Sequence, residues 1–558
     1  MLKQIFILGL GLLAAACGQT PPVASDPQPV EAPITVETER GQLLGERLDN
    51  GSRVWRGVAY AADTAGETRW RAPQPVAEWD GVKDALEFAE PCAQIATPFT
   101  QIEGFVNWTL AGSEDCLAVD IYAPSQNDGA GHPVMFWIHG GSNVSGASQL
   151  YQGYNLTENE NVVVVSVQYR LGPLGWFSHE SLESDAANFA LLDLVAALNW
   201  VQANIENFGG DPERVTIFGE SAGGHNVAAL LASPLAEGLF HQAILQSGGF
   251  ASTPVADARG LEGDLTNPSD DIVERLGGPS KLRSVSVQDV FDAYEKVGGY
   301  MELPRMIQDG VTLPTGPLID AFSDTRSFHA VPIITGTNKD ELKLFNLLND
   351  EFTELVDGRF YVAREQDFYD AASDYGSRAW RIRAVDRPAT RMLEAGHETV
   401  YAYRFDSEEG GRFMQMDLAK MLGAAHRMES PFEFNRFKLL GTPDAILFAP
   451  ETAETREKLG RQMGAYWASF ARDGVPEVSD GPEWMPYGAN ASLLYFDSDN
   501  DGGVYAKSGS DTIERIFADL QTDERLDETQ RCLIANGLAQ SAGDEAEARL
   551  KELGCDVE

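Results

Sequence analysis

The sequence predicts an α/β fold: a large, mostly parallel central sheet with helices on both faces. Apolar runs at 133–138, 162–167 and 215–218 are continuous and bounded by turn residues, which is typical of central strands covered on both sides. Segments with helical spacing at 186–207 and 222–232 alternate with these runs. Alternating strands and helices favour a parallel sheet.

Later elements extend this pattern. Two further strands are expected at 331–335 and 399–405. Residues 252–330 and 345–395 have helical and loop-like patterns, and we expect them to form cap insertions over one end of the sheet. Residues 511–558 are expected to form a C-terminal extension of two short acidic helices.

The start of the chain is typical of an export signal. Residues 1–17 combine a positive start, a short apolar run and small residues before Cys17, which is similar to a bacterial lipoprotein signal. The run is shorter than the about 20 residues that a membrane span needs. Residues 18–33 are proline-rich and predict a tether ahead of a main domain at 34–510. An ordinary secretory signal cut after Ala16 is the alternative.

The five cysteines also indicate export, because disulfides form in oxidising compartments. Cys92 is expected to pair with Cys116, and Cys532 with Cys555, which leaves Cys17 for a lipid. We therefore expect an exported bacterial lipoprotein, periplasmic or anchored to the outer membrane through Cys17.

The charge balance excludes one class of partner. The chain has 85 Asp and Glu residues against 42 Lys and Arg, a net charge of −43. Nucleic-acid binding needs a basic face, so no nucleic-acid partner is expected. The excess either serves solubility or steers cationic substrates into an acidic cleft.

The strongest motif is Gly-x-Ser-x-Gly at 219–223, centred on Ser221. A strand stops immediately before it and a helix starts immediately after it, as in a nucleophile turn. Such a turn exposes the serine Oγ at a helix N-terminus, where backbone N–H groups favour developing negative charge. We expect Ser221 to be a nucleophile.

A serine nucleophile needs a histidine base and an orienting acid, in the chain order Ser, acid, His. His426 lies in a small-residue loop after the strand at 399–405 and is the expected base. His397 directly precedes a strand and is expected to be structural, and His329 leaves little room for an acid between it and the serine. The acid should follow the strand at 331–335, where spacing alone does not separate Asp340 from Glu341.

An oxyanion hole needs backbone N–H groups that converge on one point. Ala222, the residue after the nucleophile, is expected to supply one. The glycine loop His139-Gly140-Gly141-Ser142-Asn143, directly after the strand at 133–138, is expected to supply the other.

Several separated motifs together resemble the type-B carboxylesterase and cholinesterase family of α/β-hydrolases, from about residue 34 to about 500. They are NFGGDPERVTIFGESAGG, SEDCLAVDIYAP, EPCAQ, YRLGPLGWFS and HQAILQSGG. The resemblance implies the α/β-hydrolase fold, and it identifies Glu341 as the acid beside His426. It also implies the Cys92–Cys116 disulfide.

The resemblance implies further roles. Gly141, Ser142 and Ala222 match the oxyanion donors, although the family's third glycine is Ser142 here. Trp108 and Glu220 are expected to line the substrate site; for Trp108 this means a pocket wall, with stacking on a quaternary ammonium as the alternative. Buried ion pairs are implied between Arg69 and Glu114 and between Arg170 and Asp193.

The expected activity is hydrolysis of carboxylic esters of small molecules through an acyl-enzyme. The alternatives are amide, peptide or true lipase activity in the same fold, and a non-catalytic binding module. No metal or organic cofactor is implied, because the sequence contains neither His-Glu-x-x-His nor a phosphate loop. Neither the natural ester nor the oligomeric state follows from the sequence.

Overall fold

The computed structural model describes residues 26–97, 100, 102, 104–126, 129, 131–182, 184–263, 265–295, 302–357, 360–413, 416–439, 444–542 and 544–555. The signal segment 1–17, with the expected lipid site at Cys17, lies outside the described residues. Within the described part of the chain, no helix is long and apolar enough to cross a membrane.

The strands are, in chain order, β1 (Pro29–Thr38), β2 (Gly41–Leu48), β3 (Arg53–Ala59), β4 (Val82–Asp84), β5 (Gln94–Ile95), β6 (Leu110–Ala111), β7 (Ala118–Ala123), β8 (His132–Ile138), β9 (Val163–Val167), β10 (Gly210–Glu220), β11 (Gln242–Gln246), β12 (Thr253–Pro254), β13 (Ile307–Gln308), β14 (Ile333–Asn338), β15 (Thr353–Val356), β16 (Phe360–Ala363), β17 (Val400–Phe405), β18 (Arg412–Phe413), β19 (Met416–Asp417), β20 (Ser492–Phe496) and β21 (Tyr505–Ser508).

The α-helices are α1 (Tyr154–Glu160), α2 (Gly172–Gly175), α3 (Phe189–Phe208), α4 (Ala222–Ala232), α5 (Val255–Arg259), α6 (Ser269–Arg275), α7 (Val287–Glu295), α8 (Leu318–Ala321), α9 (Lys343–Asn346), α10 (Gln366–Arg381), α11 (Arg387–Glu394), α12 (Leu418–Met421), α13 (Ser430–Glu433), α14 (Asp444–Leu447), α15 (Ala453–Asp473), α16 (Ile513–Thr522), α17 (Glu528–Ala542) and α18 (Asp544–Leu553).

A mixed sheet of 13 described strands forms the centre of the molecule. Its order is β1-β2-β3-β7-β9-β8-β10-β11-β14-β17-β20-β21, with β4 paired to β2. The strands from β9 to β20 run parallel. The remaining neighbours on that path are antiparallel. The sequence predicted the parallel centre and did not predict the antiparallel edges.

The parallel strands at the centre of the sheet are buried, including their polar residues such as Gln246 and Asn338. Every residue of β9, β11 and β14 is buried. Helices cover both faces, with α3 and α4 contacting one part of the core and α15 packing in a second apolar cluster with Trp137 and Phe218. This two-sided burial is the reason the strands read as continuous apolar runs.

The register of the sheet brings several chain segments to one edge. Gly219 of β10 pairs with Ile138 of β8, and Glu220 pairs with Gln246 of β11. Asn338 of β14 pairs with Phe405 of β17. Because the carboxyl ends of parallel strands meet at the same edge, the loops after β8, β10, β11 and β14 converge there.

Strand β1 begins inside the segment that the sequence predicted to be a tether. We expected residues 18–33 to be a tether, whereas β1 begins at Pro29 and pairs antiparallel with β2. The chain is already attached at Asp26, whose carboxylate contacts Arg436 (3.2 Å) and Lys438 (2.6 Å). These contacts are distant in sequence, which is why the pattern of residues 18–33 does not reveal them.

The C-terminal extension has three helices, α16 to α18, instead of the two expected. Together with one face of α10 they form a separate apolar cluster. Both expected disulfides are present: Cys532–Cys555 joins α17 to the end of the extension, and Cys92–Cys116 closes a loop near β5 and β6.

The two expected buried ion pairs are also present. Arg170 Nη2 lies 2.6 Å from Asp193 Oδ1, and Arg69 Nη2 lies 2.6 Å from Glu114 Oε2. Asp193 is fully buried on α3, and it also accepts the backbone N–H of Arg170. The pair therefore fixes α3 to the chain that follows β9.

We predict that Asp193→Ala lowers the free energy of unfolding by about 3–5 kcal/mol, because it leaves the buried guanidinium of Arg170 without its counter-ion. Urea unfolding followed by circular dichroism measures the change. Asp324→Ala is the matched control, since the Asp324–Arg326 pair is exposed and exposed ion pairs contribute little to stability. Equal effects of the two substitutions would contradict this role of the buried pair.

Candidate active site

Ser221 occupies a sharp turn between β10 and α4. Its backbone is in the left-handed region, with φ 57° and ψ −120°. The turn presses the chain against β8, because a Cβ on Gly219 would lie 2.5 Å from the carbonyl oxygen of Ile138 and a Cβ on Gly223 would overlap that oxygen. Only glycine fits these two positions. The backbone N–H of Ser221 donates to the carbonyl of Gln246 (2.8 Å), which ties the turn to β11.

His426 contacts Glu341. The imidazole Nδ1 lies 2.5 Å from Glu341 Oε2, and both side chains are buried. The two residues are brought together by backbone pairing: Asp340 bridges to Ala425, and its N–H donates to the carbonyl of Ala424 (2.9 Å). The loop that carries the histidine is thereby held against the end of β14.

The second oxygen of Glu341 is fully engaged. Oε1 accepts from Ser247 Oγ (2.5 Å), Thr337 Oγ1 (2.7 Å) and the backbone N–H of Asn338 (2.8 Å). Burial raises the pKa of this carboxyl, but the positive imidazole and these donors outweigh burial and hold the pKa below its ordinary value. Glu341 is therefore a buried, ionised carboxylate with a fixed orientation.

Asp340 has a different environment. Its carboxylate lies 3.1 Å from Lys343 Nζ and accepts the backbone N–H of Ala424 (3.1 Å). Glu341, and not Asp340, is thus the carboxylate that contacts the imidazole. Spacing could not separate the two residues, because neighbouring side chains at the end of a strand point in different directions.

The other imidazole nitrogen lies beside Glu220, the residue directly before Ser221. His426 Nε2 lies 3.1 Å from Glu220 Oε1, and neither atom has a well-aligned hydrogen-bond partner among the described residues. Burial lowers the pKa of His426, but the charges of Glu220 and Glu341 outweigh burial and raise the pKa above its ordinary value. Glu220, expected as a substrate-binding residue, lies fully buried beside the base.

A further carboxylate lies behind this pair. Glu429, three residues after His426, is fully buried and accepts from Asn338 Nδ2 (2.5 Å). Burial and the nearby charges of Glu220 and Glu341 raise its pKa to about 8. Glu429 was not predicted from the sequence, although it lies only three positions after His426.

The loop after β8 lies against the nucleophile turn. A Cβ on Gly140 would lie 3.1 Å from the Cβ of Ser221. Gly141 (φ 107°) and Ser142 (φ 57°) both adopt the left-handed region. A glycine would adopt this backbone freely at residue 142, and Ser142 adopts it at a cost of about 1 kcal/mol or more.

Several side chains outside the predicted site hold the glycine loop in place. Asn143 and Asn226 exchange hydrogen bonds of 2.9 and 3.3 Å, and Tyr169 donates to the carbonyl of His139 (2.7 Å). Arg305, from the insertion at 252–330, donates to the carbonyl of Ser142 (2.7 Å). These residues were not identified from the sequence, since their roles depend on packing between distant segments.

Aromatic rings form one wall beside the base. The rings of Trp380 and Phe345 lie 4.9 and 5.3 Å from the imidazole of His426, and they stack on each other at 5.8 Å. Both residues come from the insertion at 345–395. Trp108, expected as a pocket wall, is 59% exposed on the loop closed by Cys92–Cys116.

Comparison with known proteins identifies the family of the chain. The model of the carboxylesterase family matches residues 32–369 and 349–508. Cocaine esterase of Homo sapiens is 33% identical over 521 residues, covering 85% of this chain and 89% of that protein. Carboxylesterase 1C of Mus musculus is 32% identical over 515 residues, covering 83% and 89%.

Solved structures give the same result. A thermophilic PNB esterase superposes with a TM-score of 0.68 at 27% identity, covering 85% of this chain and 97% of that one. A carboxylesterase of Geobacillus stearothermophilus superposes with a TM-score of 0.67 at 29% identity, covering 87% and 99%. The chain belongs to the carboxylesterase family, has the α/β-hydrolase fold and is a carboxylic ester hydrolase.

Proposed function

We propose that the protein hydrolyses esters through a Ser221–Glu341–His426 triad and a covalent acyl-enzyme. The observation that carries the proposal is the orientation of His426: Nδ1 is held by the buried carboxylate of Glu341, and Nε2 lies 3.1 Å from Glu220, the residue directly before Ser221. A base oriented in this way can accept the serine proton, which a free hydroxyl does not release at neutral pH.

The reaction has two halves. His426 Nε2 takes the proton from Ser221 Oγ as the oxygen attacks the ester carbonyl, and the protonated imidazole then gives that proton to the departing alcohol. A water molecule, deprotonated by the same nitrogen, releases the acid from Ser221. Glu341 stabilises the imidazolium in both halves and does not itself take the proton.

The negative charge that develops on the carbonyl oxygen requires backbone donors. We propose the N–H groups of Gly141 and Ala222, together with that of Ser142. Ala222 is the first residue of α4, so its N–H has no partner within the helix. One such donor typically contributes about 10²–10³-fold to the rate.

The aromatic pair Trp380 and Phe345 suits an apolar part of the substrate. Phe345 is 44% exposed and Trp380 is half-buried. The two rings therefore form an apolar surface that leads from solvent to the imidazole. We propose that this surface binds the acyl or the alcohol group. Trp108 and Glu220 remain proposed substrate-binding residues: Trp108 offers an exposed aromatic ring, and Glu220 lies beside His426.

The cellular location is a proposal as well. The two disulfides suit an oxidising compartment, and the N-terminal segment resembles a lipoprotein signal. We propose that the protein is exported to the periplasm or outer membrane and anchored through a lipid on Cys17.

Replacing the nucleophile tests the function. We expect Ser221→Ala to abolish labelling by an organophosphate and to lower turnover of p-nitrophenyl acetate, butyrate and octanoate by about 10⁴-fold or more, because the remaining groups only polarise the carbonyl. Ser479→Ala, at an exposed serine, is the control and should leave both unchanged.

The same panel separates the alternatives when p-nitroanilides and an emulsified long-chain triglyceride are added. Faster turnover of anilides would indicate an amidase, and activity only at the emulsion surface would indicate a lipase. A wild-type protein that turns over none of these substrates would contradict the proposed activity and favour a binding module.

The pH dependence follows from the charges around His426. The base acts only when neutral, so we expect kcat/KM to fall as the pH drops through the raised pKa of His426. Glu220→Gln removes a negative charge 3.1 Å from Nε2, so it should move the acidic limb of the profile to lower pH by about one unit. Glu213→Gln, at an exposed carboxylate, serves as control. An unmoved acidic limb in Glu220→Gln would contradict this coupling.

A further inference from the structure

Arg305 lies beside the glycine loop of the active site. Its Nη1 donates to the carbonyl oxygen of Ser142 (2.7 Å). The backbone of Arg305 is fixed as well, because its own carbonyl accepts from Thr253 Oγ1 (3.0 Å) and the next residues form β13, which pairs with β12. The guanidinium is therefore presented to the loop from a structured part of the insertion at 252–330.

The charge of Arg305 has no counter-ion among the described residues. No described carboxylate lies within 4 Å of its guanidinium, although the chain has twice as many acidic as basic residues. Arg69 and Arg170, by contrast, are each paired with a carboxylate. Burial lowers the pKa of Arg305, and no neighbouring carboxylate raises it. The guanidinium is half-buried and uncompensated.

The guanidinium also lies near the helix that follows the nucleophile. His225 is one turn after Ser221 on α4. Burial and, after it, the positive charge of Arg305 lower the pKa of His225 to about 4. Arg305 thus flanks both the glycine loop and the first turn of α4, the two segments between which an ester carbonyl would be bound.

The donors of Arg305 are only partly used. A guanidinium has five N–H donors. Among the described residues, the carbonyl of Ser142 is the one acceptor to which the guanidinium of Arg305 donates. The free edge of a guanidinium matches the two oxygens of a carboxylate, and the resulting charged hydrogen bonds are stronger than neutral ones. A substrate carboxylate would supply the missing counter-ion.

We propose that Arg305 recognises an anionic substrate: an ester that carries a free carboxylate a few bonds from the scissile carbonyl, as in the hemiester of a dicarboxylic acid. The inference rests on the proposed ester hydrolysis and specifies its substrate class. Arg305 binds the distal carboxylate of the substrate. Its hydrogen bond to the carbonyl of Ser142 holds the guanidinium, and with it that carboxylate, at a fixed position relative to the glycine loop. The net negative charge of the chain repels such substrates at long range, which makes a local positive group necessary for binding them.

The test compares two 4-nitrophenyl esters of glutaric acid: one whose distal carboxyl is free, and one whose distal carboxyl is a methyl ester. Spontaneous hydrolysis is subtracted with the Ser221→Ala protein. We expect the wild type to have the higher kcat/KM for the free carboxylate. Arg305→Gln should lower the ratio of the two kcat/KM values by about 10- to 100-fold. Arg305→Lys should retain part of the preference, because lysine keeps the positive charge but cannot donate two parallel hydrogen bonds to a carboxylate.

Arg326→Gln is the matched control, since Arg326 is exposed and paired with Asp324, and it should leave the ratio unchanged. If Arg305→Gln lowers kcat/KM for both esters equally, Arg305 only positions the loop and the inference is overturned. An absence of preference in the wild type overturns it as well. If the wild type hydrolyses neither ester, nor any member of the p-nitrophenyl panel, the proposed function itself fails.

Discussion

The close contact between the nucleophile turn and strand β8 is the constraint on which the rest of the site depends. Gly219 and Gly223 bring the turn against the carbonyl of Ile138, where no side chain would fit. A left-handed serine backbone costs about 1–3 kcal/mol. The sheet can hold it because β10 is paired on both sides, to β8 and to β11, up to the last residues before the turn. The glycine loop then starts one residue beyond the contact.

The second requirement is electrostatic. One imidazole is surrounded by buried carboxyl groups at 220, 341 and 429, which would be unfavourable if all were ionised. The structure distributes the charge: Glu341 receives three donors on one oxygen and stays ionised, while burial raises the pKa of Glu220 and brings that of Glu429 to about 8. A single strong acceptor thus faces Nδ1, and the groups near Nε2 adjust the proton affinity of the base.

The sequence predicted the elements that form the centre of the fold. Strands β8, β9, β10, β14 and β17 and helices α3 and α4 lie within a few residues of their expected positions, because burial on both faces produces long apolar runs. The antiparallel edge strands and the long helix α15 were not predicted, since their exposed faces interrupt the apolar pattern. The start of β1 inside the expected tether depends on pairing with β2, which no local pattern encodes.

The residues of the site divide in the same way, into those predicted from local motifs and those brought to the site by packing. Ser221, His426 and the glycine loop follow from motif and chain order, because each lies at the end of a recognisable strand. The choice between Asp340 and Glu341 depends on the bridge from Asp340 to Ala425, so spacing left it open and only the family resemblance favoured Glu341. Arg305 and Trp380 could not be predicted, since both reach the site from insertions whose packing has no local signature.

The central claim is that the turn presents Ser221 Oγ between the imidazole and the backbone donors. A crystal structure of the protein inhibited by a dialkyl phosphoryl reagent tests it most directly. We expect a phosphorus atom bonded to Ser221 Oγ, with one phosphoryl oxygen within about 3 Å of the N–H groups of Gly141 and Ala222. Phosphorus on another side chain, or an oxygen that points away from these donors, would contradict it.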